Sequence, residues 1–172
     1  MFFFKTTQDA CSFGRWQLAQ NAPIMFDRTT SIASIMTRNV FFVHPNDTMQ
    51  RVGELFTLHN IHHIPVIDND SHVVGIISKA DYLKILHGFT LFKTEKSQEY
   101  NKAILRSLLV SEVKTKQVAS LQPEDTVDIA AGYFRENLFH AIPVVDRQKK
   151  LVGIVTTFDM LNFAFLEPAL LQ

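Results

Sequence analysis

The chain has 172 residues, 47% hydrophobic and 20% charged, which supplies the apolar mass of a buried core and excludes a wholly disordered polymer. Seventeen basic and seventeen acidic side chains cancel, which argues against a broad basic nucleic-acid face and a polybasic membrane anchor. The single cysteine, Cys11, excludes an internal disulfide and a four-thiolate metal site, so a reducing cytoplasm is the expected location.

The chain opens on MFFFK, whose apolar run stops at Lys5 and lacks the basic start and the length of a secretion signal. No apolar run approaches the roughly 20 residues that span a bilayer, so no membrane is expected as a partner. Residues 1–30 form an extension outside any repeat. Phe2, Phe3, Phe4, Phe13, Trp16 and Phe26 lie in it, and that aromatic content predicts packing on the body or on a second subunit rather than a solvated tail.

From residue 35 the chain repeats with an offset of 78. Residues 35–83 align on 113–161 without a gap, with 16 of 49 positions identical; this is a repeat, and it predicts two similar units about a pseudo-twofold axis. The units are placed at 31–88 and 111–168. In the first, Asp47 is expected as N-cap of a helix that buries Met49, Val52, Leu55 and Phe56, spaced on one helical face. Val127, Ala130 and Phe134 repeat that face. The strand HIPVID follows, where Pro65 predicts a sheet edge or strand start, then the turn DNDS, the strand HVVGIIS and the helix KADYLKILHG with Gly88 at its C-terminus. Each unit thus reads strand–helix–strand–strand–helix, an α/β (α+β) arrangement with small mixed sheets. Residues 89–110 form a linker whose Tyr100, Ile104, Leu105, Leu108 and Leu109 predict an amphipathic helix.

Chemistry collects at one repeated place. Ser78 stands three residues before Asp81, and Thr156 stands likewise before Asp159. Ser/Thr-x-x-Asp at a helix start is a capping box, which explains both pairs with no ligand. The same geometry suits a nucleotide: free N–H groups and the helix dipole favour phosphate, the hydroxyls add donors, and a carboxylate accepts both hydroxyls of a ribose. Gly75 and Gly153 permit close backbone approach. Lys79 offers charge toward a polyphosphate, which its counterpart Thr157 does not.

The segments SIASIMTRNV, HPNDT, HHIPVID and VVGIISKAD, repeated as SEVKTKQV, QPEDT, HAIPVVD and LVGIVTTFD, resemble the cystathionine-β-synthase (CBS) domain over roughly residues 31–166. The resemblance implies two pseudo-symmetric CBS-type β-α-β-β-α units with a central cleft, pairing of modules into a homodimer, and binding of AMP, ADP, ATP or S-adenosylmethionine. It places Asp81 and Asp159 on ribose and Ser78 and Thr156 on phosphate. Residues near Thr37, Val40, Thr115 and Val118, with Ile64, Pro65, Ile142 and Pro143, would flank the base. Lys114 departs from the pattern, standing where the first copy has Met36.

His59, His62 and His63 with His140 could suggest a metal, but His59 and His63 become Asn137 and Ala141 in the second copy, so a metal site would not follow the repeat. Helix–strand packing is the expected role of His62 and His140. No GxSxG elbow, P-loop, HExxH or dinucleotide fingerprint occurs, so an enzyme is not expected and no cofactor is required. The reading is a regulatory, adenine-nucleotide-binding module that signals to an unidentified partner chain. The alternative is a ligand-free dimerisation scaffold in which both boxes are only caps.

Overall fold

The computed structural model describes residues 27–88, 95–136 and 139–165. The expectations for residues 1–26 and for the first part of the linker lie outside them. A 3-10 turn at Ile32–Ser34 comes first. The first copy then holds α1 (Met49–Leu58), the hairpin β1 (His63–Ile67) and β2 (Val73–Ser78), and α2 (Lys79–Gly88). Between the copies lies α3 (Glu95–Ser107), followed by the short α4 (Val110–Val113). The second copy repeats the order as α5 (Val127–Arg135), β3 (Ala141–Val145), β4 (Leu151–Thr156) and α6 (Thr157–Phe165).

Helix α1 forms where the apolar spacing predicts it, and Met49, Val52, Leu55 and Phe56 are all buried. Its N-cap is Thr48, one residue later than expected. Asp47 is used just outside the helix, where its carboxylate accepts the His44 N–H at 2.7 Å and closes the entering turn. Asp125 does the same for Gln122, also at 2.7 Å. The C-terminal glycine expected at Gly88 lies inside α2 as its last residue.

The first strand of each copy shrinks to one parallel bridge, Val43 with Val66 and Leu121 with Val144. The full pairings are the antiparallel hairpins β1–β2 and β3–β4. Pro65 and Pro143 sit in the middle of their strands rather than at a start, each on an edge strand of a two-stranded sheet that a single bridge flanks. Proline is tolerated because the bridge uses only its carbonyl: Val43 N–H donates to Pro65 O and Leu121 N–H to Pro143 O, each at 3.1 Å. The hairpin turns are matched in detail. Asp68 Oδ1 accepts the N–H groups of Asp70 and His72, and Asp146 Oδ1 those of Gln148 and Lys150. Ser71 and Lys149, 78 positions apart, both take a positive φ near the left-handed region (70° and 66°).

The two hydrophobic cores do not divide the chain where the repeat divides it. Ile32 and Met36, at the start of the first copy, are buried in the core of the second with Leu121, Val127, Ile142 and Val155. Val110 is buried in the core of the first copy, and Val113 packs against it, although both lead into the second. Backbone bonds lock the exchange. Thr37 and Ile154 trade N–H···O=C bonds at 2.9 and 3.0 Å, and Thr115 and Ile76 trade theirs at 3.0 and 3.1 Å. Each copy is therefore completed by chain that sequence order assigns to the other.

Candidate ligand-binding clefts

The exchange builds two cavities. The first, of about 210 Å³, is lined by Ser78, Asp81, Ile76 and His63 of the first copy, by Thr115, Gln117 and Val118 of the exchanged segment, and by Phe139, His140 and Ala141. The second, of about 580 Å³, is lined by Thr156, Thr157, Phe158, Asp159 and Ile154, by Thr37, and by Asn60, Ile61, His62, His63 and His140. They are pseudo-symmetric: each has one Ser/Thr-x-x-Asp helix start, one threonine from the exchanged strand and the loop before a hairpin. His63 and His140 line both, so the cavities adjoin at that pair.

Only the second helix start forms the full capping box, because Thr156 N–H donates to Asp159 Oδ2 at 2.7 Å while, among the described residues, Ser78 N–H gives no such bond to Asp81. Ser78 Oγ donates to Asp81 Oδ2 at 2.6 Å, and Asp81 N–H donates back to Ser78 Oγ at 3.1 Å. Thr156 Oγ1 donates to Asp159 Oδ2 at 2.7 Å, and Asp159 N–H returns a longer bond of 3.3 Å. Each helix start uses only one carboxylate oxygen. The other oxygen differs between copies. Asp81 Oδ1 accepts from Lys84 Nζ at 3.0 Å, whereas the residue equivalent to Lys84 is Asn162, and among the described residues Asp159 Oδ1 takes no hydrogen bond. Partial burial pushes the Asp81 carboxyl up; the Ser78 hydroxyl and the Lys84 ammonium outweigh this and leave it below the usual carboxylate value. Asp81 is therefore ionised at neutral pH and able to accept hydroxyl hydrogen bonds.

The residues foreseen from the sequence divide into two groups. Ser78, Asp81, Thr115 and Val118 meet at the first cavity, and Thr37, Thr156 and Asp159 at the second. Val40 lies apart, in a surface recess with Arg38, Phe42, Ile67 and Leu151. Ile64, Pro65, Ile142 and Pro143 are buried and line neither cavity, Ile64 and Ile142 lying in the two cores; His63 and Ala141, just before the isoleucines, line the cavities instead. Lys79 lines neither cavity. Gly75 and Gly153 do make room for a backbone, but it is the exchanged strand that approaches. A Cβ on Gly75 would meet Thr115 O at 2.9 Å, and one on Gly153 would meet Met36 Sδ at 2.6 Å. Lys114 replaces that methionine in the first cavity's strand, and its Nζ donates to Val74 O.

The histidines do not take the packing role expected of them. His62 and His140 are exposed at the cavity walls rather than packed between helix and strand. Burial holds His63 below the usual imidazole value, with His140 and His62 adding to this and Asp81 opposing it. The signal available was their place in the loop before a hairpin, repeated at His140.

The CBS domain family model matches residues 32–88 and 110–165. This chain belongs to the CBS-domain family. Among solved structures, this CBS pair is similar to the CBS domain pair of protein MJ0100 in complex with 5′-methylthioadenosine and S-adenosyl-L-methionine, at 25% identity and a TM-score of 0.63 over 78% of this chain and 94% of that one. It is also similar to CBSX2 in complex with AMP, at 25% identity and a TM-score of 0.62 over 77% of this chain and 93% of that one; CBSX2 comes from Arabidopsis thaliana. A third is the CBS domain of a CBS-domain-containing membrane protein from Sphaerobacter thermophilus, at 30% identity and a TM-score of 0.68 over 93% and 100% of the two chains. Among curated proteins, an L-aspartate semialdehyde sulfurtransferase of Methanocaldococcus jannaschii is 27% identical over 91% of this chain but only 27% of its own length. A homoserine O-acetyltransferase of Methanococcus vannielii is 26% identical over 76% of this chain and 24% of its own length. The CBS pair spans about a quarter of the length of these enzymes. Among the described residues, no helix is long and apolar enough to cross a membrane.

Proposed function

We propose that this CBS pair is a regulatory module that binds an adenosine compound in the clefts between its copies and reports occupancy to a partner chain. One observation carries the reading: each helix-start carboxylate lines a cavity and has one oxygen that its own cap does not use. A ribose would place its two hydroxyls on Asp81 or Asp159. Ser78 or Thr156, with the N–H groups of the helix start, would face phosphate. Val118, Phe139 and Ala141 in one cleft, and Ile61 and Ile154 in the other, offer apolar walls to a flat base.

The ligands in reach of this chemistry are AMP, ADP, ATP and S-adenosylmethionine. Their likeness in two solved relatives, which hold AMP and S-adenosyl-L-methionine with 5′-methylthioadenosine, supports the class without choosing a member. Because both clefts straddle the exchange, a ligand that fits one spacing of the copies better than another shifts that spacing by its difference in affinity. The module acts without chemistry of its own, as a cytoplasmic homodimer. Thermal melting against the four compounds tests this: binding raises the midpoint with concentration, and single Asp81→Ala and Asp159→Ala variants assign the site.

A scaffold without ligand is the second reading, favoured by the hydroxyl–carboxylate bonds that satisfy Ser78 and Thr156 locally. Flat melting curves with all four compounds would decide for it.

A further inference from the structure

The 78-residue offset relates more than the two copies. It maps α3, residues 95–107, onto residues 17–29. In the first copy α3 lies along α1: Leu105 packs against the core, and Lys102, Leu105 and Arg106 form one wall of a groove whose other walls include Gly53, Leu58 and Tyr82. Arg106 Nε donates to Gln50 Oε1 at 3.2 Å, and Met49 N–H donates to Leu108 O at 2.9 Å.

The same two bonds recur in the second copy at the equivalent positions. Arg28 Nε donates to Asp128 Oδ1 at 2.9 Å, and Val127 N–H donates to Thr30 O at 2.9 Å. Asp128 N–H adds a bond to Arg28 O at 3.2 Å. Residues 28–30 thus hold α5 as residues 106–108 hold α1. The described chain begins there, at Asp27. Next to it, between α5 and α6, lies an apolar groove of about 380 Å³ walled by Ala131, Phe134, Met160, Leu161, Phe163 and Ala164. Leu161 is 55% exposed on that wall. In the first copy the corresponding groove has a wall supplied by α3; in the second, none of the described residues supplies it.

We propose that residues 16–26 occupy this groove on their own chain, in the position α3 takes on the first copy. Three observations carry this. The paired anchors at Arg28 and Arg106 deliver the chain to the groove's edge. The segment Trp16–Phe26 contains no charged residue and supplies Trp16, Leu18, Ile24, Met25 and Phe26, which matches apolar walls. Eleven residues reach about 36 Å when extended, well beyond the roughly 14 Å length of a nine-residue helix such as α6. Filling the groove removes from water the kind of exposed apolar face that otherwise recruits other chains.

Trp16 is the only tryptophan, so its fluorescence in the full chain reads the segment directly. Docking predicts short-wavelength emission and protection from acrylamide, both unchanged on dilution. Leu161→Glu and Ala131→Glu, which place charge on the groove wall, should each shift the emission to longer wavelength and raise quenching while the helical circular dichroism stays at the wild-type level. Solvent-exposed emission in the wild-type chain would overturn the proposal, and this reading needs no variant. So would blue-shifted emission that ignores both charged variants. Protection that is lost on dilution would give the groove to a second copy instead, and also sinks it.

Discussion

Gly75 and Thr115 lie back to back across the exchanged strand: a methyl group on Gly75 would come within 2.9 Å of the Thr115 carbonyl oxygen and 2.8 Å of Lys114 Cδ. At the equivalent Gly153 the nearest obstacle is the flexible Met36 side chain, with Thr37 O at 3.2 Å. Backbone does not yield as a thioether does. Gly75→Ala should therefore lower stability by about 1–3 kcal/mol, the usual range for overpacking, and Gly153→Ala by less. Met36→Ala should recover part of the Gly153→Ala loss, whereas Lys114→Ala should not recover Gly75→Ala. Urea unfolding of the four single and two double variants measures this, and equal recovery at both sites would contradict it.

The two carboxylates should not serve a ligand equally. Lys84 holds Asp81 Oδ1, while Asp159 Oδ1 is unengaged among the described residues. Hydrogen bonds to a charged group are worth about 1.5–3 kcal/mol, so Asp159→Ala should weaken AMP binding on the order of tenfold or more by calorimetry. Asp81→Ala should cost less. Lys84→Ala, by freeing the Asp81 oxygen, should tighten any first-cleft binding, and a loss of affinity there would show that Lys84 meets the ligand itself.

Stability should fall as pH drops through the histidine range. Burial keeps the His63 pKa in the folded protein below its ordinary value, so between about pH 6.5 and that lowered value the unfolded chain binds the proton first. The slope is at most about 1.4 kcal/mol per pH unit for one group. Asp81 works in a separate window: its pKa is depressed, so its contribution is intact above about pH 3.9 and is lost only as pH falls through the lower folded value. Denaturation at pH 7.5, 6.5 and 5.5 should show a decline that His63→Gln flattens. An unchanged slope in that variant would assign the effect elsewhere.

Ile32 is fully buried in the core of the second copy although it belongs to the start of the first. Ile32→Ala should cost about 2–5 kcal/mol. Native-state hydrogen exchange should locate the loss: protection should drop first at Ile142 and Val144 and only later at Val66. The opposite order would mean that the exchanged turn supports its neighbour in sequence.

Local patterns set much of this protein before any long-range contact is considered. Helix α1 follows from the spacing of Met49, Val52, Leu55 and Phe56, and the Asp68 and Asp146 turns follow from carboxylates that accept nearby N–H groups. The pair at Ser78 and Asp81, and its copy at Thr156 and Asp159, are likewise contacts between residues three apart. The cavity-facing role of those carboxylates was legible because a helix start after a strand sits at the end of a sheet. Val40 and Val118 show where such reading stops. They are equivalent by repeat, yet Val118 lines a cleft and Val40 does not.

What the residues alone determined is which positions are alike: the repeat, its helices and hairpins, and the doubled hydroxyl–carboxylate pair, all fixed by bonding and burial within a few positions along the chain. Which copy each linking segment completes was left to the tertiary structure. Two cores of the same shape accept Ile32 and Val110 equally well on hydrophobicity, so pattern carries no preference between them. The pairing of Thr37 with Ile154 and Thr115 with Ile76 breaks that tie, because only one path of the backbone satisfies those amide groups, and the histidines reach the clefts as its consequence.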